Sequence, residues 1–160
     1  MTENNLAKLF RMLNRVPLGQ RLFSQIVCWK APYFGSVRPV LTELRAGYCA
    51  AYIRKRRAVT NHLGTIHAIA ACNLCELVAG LLMEASIPSH LRWIPVGMQV
   101  EYLKKCPTDM HATCELAEIA WQPDTQVPLT VTTFNQDGEP VVSAVISMHV
   151  SAKPAKPKHG

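Results

Sequence analysis

Between Ile66 and Met83 the chain is apolar at nearly every position; only His67, Cys72, Asn73, Cys75 and Glu76 interrupt the run. Thiols behave as small hydrophobes, so residues 66–84 predict a helix with no wide polar face, buried in a core. Upstream the pattern differs. Leu6, Leu9, Phe10 and Leu13 recur at the spacing of one helical face and predict an amphipathic helix over residues 3–14. A second begins near Pro17 and carries Leu22, Phe23, Ile26 and Val27. Ala31-Pro32-Tyr33-Phe34-Gly35 and Arg38-Pro39 punctuate a loop. From Arg45 to Val59 a strand is predicted, with Tyr48, Ala50 and Tyr52 alternating against Cys49, Ala51 and Ile53.

Past the long helix, which Ser86-Ile87-Pro88 ends, four more strands are predicted. Val96, Met98, Val100 and Tyr102 alternate with Gly97, Gln99 and Glu101, and residues 111–121 form a less regular run. Val127 to Phe134 is rich in β-branched side chains, and Val142, Ala144, Ile146, Met148 and Val150 make a strict apolar face. Asn135-Gln136-Asp137-Gly138-Glu139 between the last two is a hairpin turn signal. Strands joined by short links pair antiparallel, and the long apolar helix must bury itself on them. The fold class is therefore α+β: an antiparallel sheet of five or six strands around one long buried helix, with two extra N-terminal helices. At 160 residues, 49% of them apolar, the chain can hold one domain with its own core. Residues 1–30 read as a helical extension, 31–150 as the main domain, and 151–160 as a disordered basic tail.

Glu76, Asn73 and His67 inside the apolar run argue for a core helix over a membrane span. No basic-then-apolar leader opens the sequence and six cysteines are too sparse for a disulfide scaffold, which together predict a cytoplasmic protein. The net charge of +6 is divided among the N-terminal segment, Arg54-Lys55-Arg56-Arg57, Lys104-Lys105 and the tail. No nucleic-acid module motif accompanies it, so a phosphorylated small molecule matches better than nucleic acid. Lys8, Arg11, Arg15 and Arg21 lie opposite the apolar faces of the first two helices, which would suit a lipid surface. Covering the domain's own core explains the same pattern and is the preferred reading.

Chemistry concentrates in one stretch. Asn61, His67 and Glu76 run from a turn containing Gly64 and Thr65 into the apolar helix. A carboxylate inside such a helix is costly unless it is paired, neutralised or used. Nine positions separate His67 from Glu76, roughly 13.5 Å of helical rise, so one chain cannot place both beside one reacting carbonyl. Two antiparallel copies of the helix across a two-fold axis can. Each residue also has a plain structural role open to it. Asn61 suits a turn, His67 a satisfied core position, Glu76 a buried ion pair, and Asn73 a hydrogen bond within an interface. Cys72-Asn73-Leu74-Cys75 matches C-x-x-C but has no second pair at zinc spacing, and no metal site is expected.

The segment Asn61 to Glu76 resembles the active-site stretch of hotdog-fold acyl-CoA thioesterases of the phenylacetate-pathway type. Those carry Asn, then His-Gly-Gly six residues on, then an acidic residue nine beyond the His. Val96 to Lys105 is similar to the family's following strand. The resemblance covers roughly residues 31–150. It implies a hotdog fold, a homodimer or dimer of dimers, and hydrolysis of an acyl-CoA or another acyl-carrier thioester. It implies no cofactor beyond the coenzyme A of the substrate. Glu76 would be general base or nucleophile, Asn61 would orient water or carbonyl, and His67 would fix local geometry. The Ala68 N–H, at the positive end of the helix, would polarise the thioester carbonyl. Gly64, Thr65, Ile69 and Asn73 would line the substrate, and Lys104 and Lys105, with Arg56 and Arg57 second, would meet its phosphates. Two departures stand out: the glycines after His67 are Ala68 and Ile69, and Pro95 or Val96 stands where some relatives place Ser or Thr. A non-catalytic acyl-thioester binder on the same fold and a membrane-surface or interaction protein are the alternatives.

Overall fold

Helix α3 (Ala68–Ser86) is the axis of the molecule. Ala, Leu, Met and Glu supply twelve of its nineteen residues, all strong helix formers. His67 caps its start, accepting the Ile69 N–H on Nδ1 at 3.1 Å, and Ile87, extended ahead of Pro88, ends it. The structure is a computed structural model describing residues 5–154. Before α3 come α1 (Asn5–Leu13), α2 (Gly19–Lys30), β1 (Val40–Arg45) and β2 (Tyr48–Ile53). After it come β3 (Leu91–Tyr102), β4 (Met110–Glu115), β5 (Thr125–Phe134) and β6 (Pro140–Ala152). The strands form one antiparallel sheet in the order β1-β2-β4-β5-β6-β3, which leaves β1 and β3 at the edges.

The core lies between the concave face of the sheet and α3. Leu74, Val78 and Leu82 of the helix and Ala112, Val131 and Ala144 of the sheet are fully buried, each large aliphatic contributing about 1.5–3 kcal/mol. The two N-terminal helices complete this core. Phe10 and Phe23 meet edge to face with ring centroids 5.1 Å apart. Ser24 Oγ accepts the Leu41 N–H at 2.8 Å and so ties α2 to β1. Gly19 is obligatory where α1 meets α2, because a Cβ there would sit 1.7 Å from the Leu13 carbonyl oxygen.

The structure corrects four expectations. The sheet has a strand, β1, where none is expected; a register shift between Leu41 and Glu43 breaks its alternation, so the two-residue period never shows in the sequence. The strand expected over 45–59 stops at Ile53, and Arg57–Val59 is instead a short 3-10 turn. The basic tail begins later than 151, because β6 runs to Ala152 and the Lys153 N–H is held by the His90 carbonyl at 2.9 Å. Residues 155–160 and the start of the first helix, residues 3 and 4, lie outside the described residues. Finally, α3 is not buried on every face: Ile69, Glu76 and Glu84 are exposed, and Cys72 and Gly80 half-buried, along one stripe. The sheet curls around one side of the helix only and ends at β3. Among the described residues α3 is the one helix long and apolar enough to cross a membrane, and most of it is core.

Candidate functional site

The loop before α3 is built by Asn61. Its Oδ1 accepts the N–H groups of Leu63 (3.0 Å) and Thr65 (3.1 Å), and its Nδ2 donates to Thr65 Oγ1 at 2.9 Å. Gly64, at φ 72, makes the left-handed step that closes the turn. The Asn61 N–H donates to the Thr65 carbonyl at 2.9 Å. Two further backbone bonds fix this loop to the body: His67 N–H to the Val59 carbonyl (2.9 Å) and Ile66 N–H to the Cys106 carbonyl (2.8 Å).

This bracing aims the first turn of α3 at a cleft of ≈ 320 Å³. Asn61, Thr65 and Ala68 line one wall, and Tyr102, Lys104 and Lys105 line the other. The first N–H groups of a helix have no intrahelical acceptor. His67 Nδ1 takes that of Ile69, and no acceptor among the described residues takes that of Ala68. A free donor at the positive end of a 19-residue helix thus opens on the cleft.

The two lysines are not equivalent. Lys104 Nζ donates to Glu139 Oε1 at 2.7 Å, and Asn135 Nδ2 holds the other carboxylate oxygen at 3.0 Å. The hydrogen bond from Lys104, with that from Asn135, lowers the Glu139 carboxyl below its usual range. Lys105 carries no such partner among the described residues. Arg56 spends Nη2 on the Ser36 carbonyl at 2.6 Å, and Arg57 lies outside the cleft lining.

The carboxylate falls elsewhere. Glu76 sits two turns along α3 on the uncovered stripe, exposed rather than buried as expected, so the apolar body of the helix does not surround it. Eight residues separate it from Ala68, about 12 Å of rise. One chain therefore brings together Asn61, Thr65, Ala68 and the lysines, and leaves Glu76 out. Ile69, 57% exposed, lies on the Glu76 stripe. Asn73 is buried, and its Oδ1 has no hydrogen-bond partner.

One cleft residue escapes the sequence reading. Tyr102 Oη lies 3.5 Å from Cys72 Sγ, and this hydrogen bond, with partial desolvation, raises the phenol above its ordinary value. Its place as the last member of the Val96-Met98-Val100-Tyr102 alternation is its one signal in the sequence, and Val96, Met98 and Tyr102 of that set are exposed. The register shift between Pro95 and Gly97 lies in a stretch, Ile94 to Val100, that carries no hydroxyl side chain. A larger cleft, ≈ 1220 Å³, opens at the other end of α3 between Glu84, His90, Trp93 and Trp121; it holds none of the expected site residues.

No curated protein matches the sequence. A crystal structure solved as a genomics target is similar at 42% identity and TM-score 0.81, covering 92% of this chain and 99% of that one. A thioesterase family protein from Silicibacter pomeroyi superposes at TM-score 0.69 and 15% identity, over 86% of this chain and 100% of that one. A thioesterase from Haemophilus influenzae does so at 0.68 and 8%, over 79% and 87%. At such identities the last two establish the hotdog fold. Residues 19–150 match the family model described as domain of unknown function DUF4442. The chain belongs to that family, and its fold is the hotdog fold.

Proposed function

We propose that the protein is a thioesterase acting on acyl-CoA or another acyl-carrier thioester at a composite site in a homodimer. The observation that carries this reading is the uncommitted Ala68 N–H, aimed from a helix N-terminus into a cleft that also holds Asn61 and two lysines. A donor so placed stabilises the oxyanion that forms when water adds to a thioester carbonyl. Collapse of that intermediate breaks the C–S bond, leaving the carboxylic acid and the thiol. Glu76 of a second copy is the base that removes the proton from water. Its exposed place on the α3 stripe supports this, because an antiparallel helix from a second chain would carry it toward the first turn of this one. The free edge of β3, with Ile94 and Val96 more than half exposed, is the surface on which that copy would pair. Lys105 meets the phosphates of the carrier. The six free thiols suit a reducing compartment such as the cytoplasm.

Glu76→Gln tests the reading. The side chain is exposed, so folding and melting should be unchanged, and general-base assistance is worth roughly 10²–10⁴-fold in kcat. A chromogenic thiol-release assay with acyl-CoA should show that loss while equilibrium binding persists. Undiminished turnover by the variant would remove Glu76 from the chemistry. Binding without turnover in the unaltered protein would favour the acyl-thioester binder, a reading that Ile69 in place of a family glycine supports.

A further inference from the structure

The geometry points to the outer face of the α1–α2 hairpin as a docking surface for an anionic lipid bilayer. Phe10 and Phe23 direct one face of each helix into the core. The opposite faces carry Lys8 and Met12 on α1 and Arg21, Leu22 and Trp29 on α2, all exposed. Between the helices, Arg15, Val16 and Leu18 form the hairpin tip and are exposed too. Leu18 is the telling residue. It stands at φ 63, a left-handed conformation that favours Gly or Asn, and it leaves 70% of its surface in solvent. An aliphatic side chain that accepts backbone strain and gains no burial points to an interaction outside the chain.

Charge selects the occupant. From Asn4 to Thr42 the sequence holds six Lys and Arg and no Asp or Glu. A second copy meeting this face across a two-fold would set Lys8, Arg15 and Arg21 against their own kind with no carboxylate between them. The face is also remote from the free β3 edge, since α2 packs on β1 at the other end of the sheet. Aliphatics at a protruding tip, an almost fully exposed Trp29, an exposed Tyr33 and flanking cations are what a lipid interface takes up. This inference does not depend on the thioesterase reading.

The test uses the full chain and vesicles of phosphatidylcholine alone or mixed with equal parts phosphatidylserine. The protein should co-sediment with the mixed vesicles only, less so as salt rises. Trp29 emission should shift to the blue, and Trp29→Phe should abolish the shift. Arg15→Gln with Arg21→Gln should weaken binding about 25-fold, five-fold per cation. Leu18→Asn with Leu22→Glu should abolish it, with melting preserved because Asn accepts the left-handed backbone. Neutralising Lys153, Lys156 and Lys158 of the tail should change binding little. The proposal is overturned by equal binding to neutral vesicles, by full binding in the hairpin variants, or by loss confined to the tail variant. Light scattering that finds the chain self-associating through Leu18 and Leu22 would also overturn it.

Discussion

Removing the Asn61 side chain separates the turn it builds from any chemistry it performs. In Asn61→Ala the Leu63 N–H, which is exposed, regains water and loses little. The Thr65 N–H belongs to a buried residue and loses its acceptor at 3.1 Å, a penalty of about 1–3 kcal/mol. The bond from Nδ2 to Thr65 Oγ1 adds about 1 kcal/mol. The total, about 3 kcal/mol, corresponds in a chain of this size to roughly 6–12 °C in Tm. Asn61→Asp keeps an oxygen for both N–H groups, and the Thr65 hydroxyl, already 3.2 Å from Oδ1, can turn to donate to it. Its Tm should stay within about 2–4 °C of the original. Denaturant and thermal melts at equal protein concentration read these values. The Asp variant also removes the amide N–H not spent on Thr65, so lost kcat with retained melting would assign that hydrogen to the substrate carbonyl. An Ala variant as stable as the original, or an Asp variant as unstable as Ala, would refute this account of the turn.

The cleft lysines should differ. Lys105→Ala should raise KM for an acyl-CoA several-fold at constant kcat, whereas Lys104→Ala, which first frees Glu139, should do less; a short thioester without the nucleotide is the control, and equal effects on it would exclude a phosphate contact. Burial pushes Cys75 and Cys114 each up to about 12 and Cys49 higher. Unfolded thiols release their protons near pH 9, so their contribution is whole below that and declines as pH rises toward 12, about 1.4 kcal/mol per thiol per pH unit. Alkaline melts should show the decline, and native alkylation should spare Cys49, Cys75 and Cys114. Gly19→Ala should destabilise by about 3 kcal/mol or more, because the Leu13 carbonyl must move; an unchanged Tm would show that the hairpin gives way freely.

The long helix, the two N-terminal helices and strands β5 and β6 are readable from period alone, because each buries an apolar face; the run expected over 111–121 ends as a strand at Glu115, and β3 shows its alternation while most of it stays exposed. Strand β1 is not readable, since its register shift puts Leu41 and Leu44 inside at an odd interval. The burial of Glu76 fails for a related reason. Residues 66–84 look apolar all round, yet a sheet that covers one side of a helix leaves the other for something the sequence of one chain does not display. The turn chemistry of Asn61 and Gly64 is legible as a type and not as a duty. Nothing in the pattern says that the same amide holds Thr65 and faces the cleft.

The uncovered stripe argues for assembly on packing grounds that stand apart from catalysis. Asn73, beside the stripe, buries a carbonyl oxygen that finds no donor among the described residues, a cost of about 1–3 kcal/mol carried within the chain itself. Ile69 exposes an aliphatic side chain on the stripe. At Gly80 the stripe is covered from within the chain, where the Trp93 ring comes to 3.0 Å from where a Cβ would stand. The twelve-residue β3 bonds only to β6, and its other edge is unpaired and apolar. An antiparallel second copy would answer two features at once: it would cover Ile69 and pair the edge. A protein that bound acyl thioesters without hydrolysing them would need the same second copy. The proposed dimer is common to both readings, and the Glu76→Gln assay decides between them.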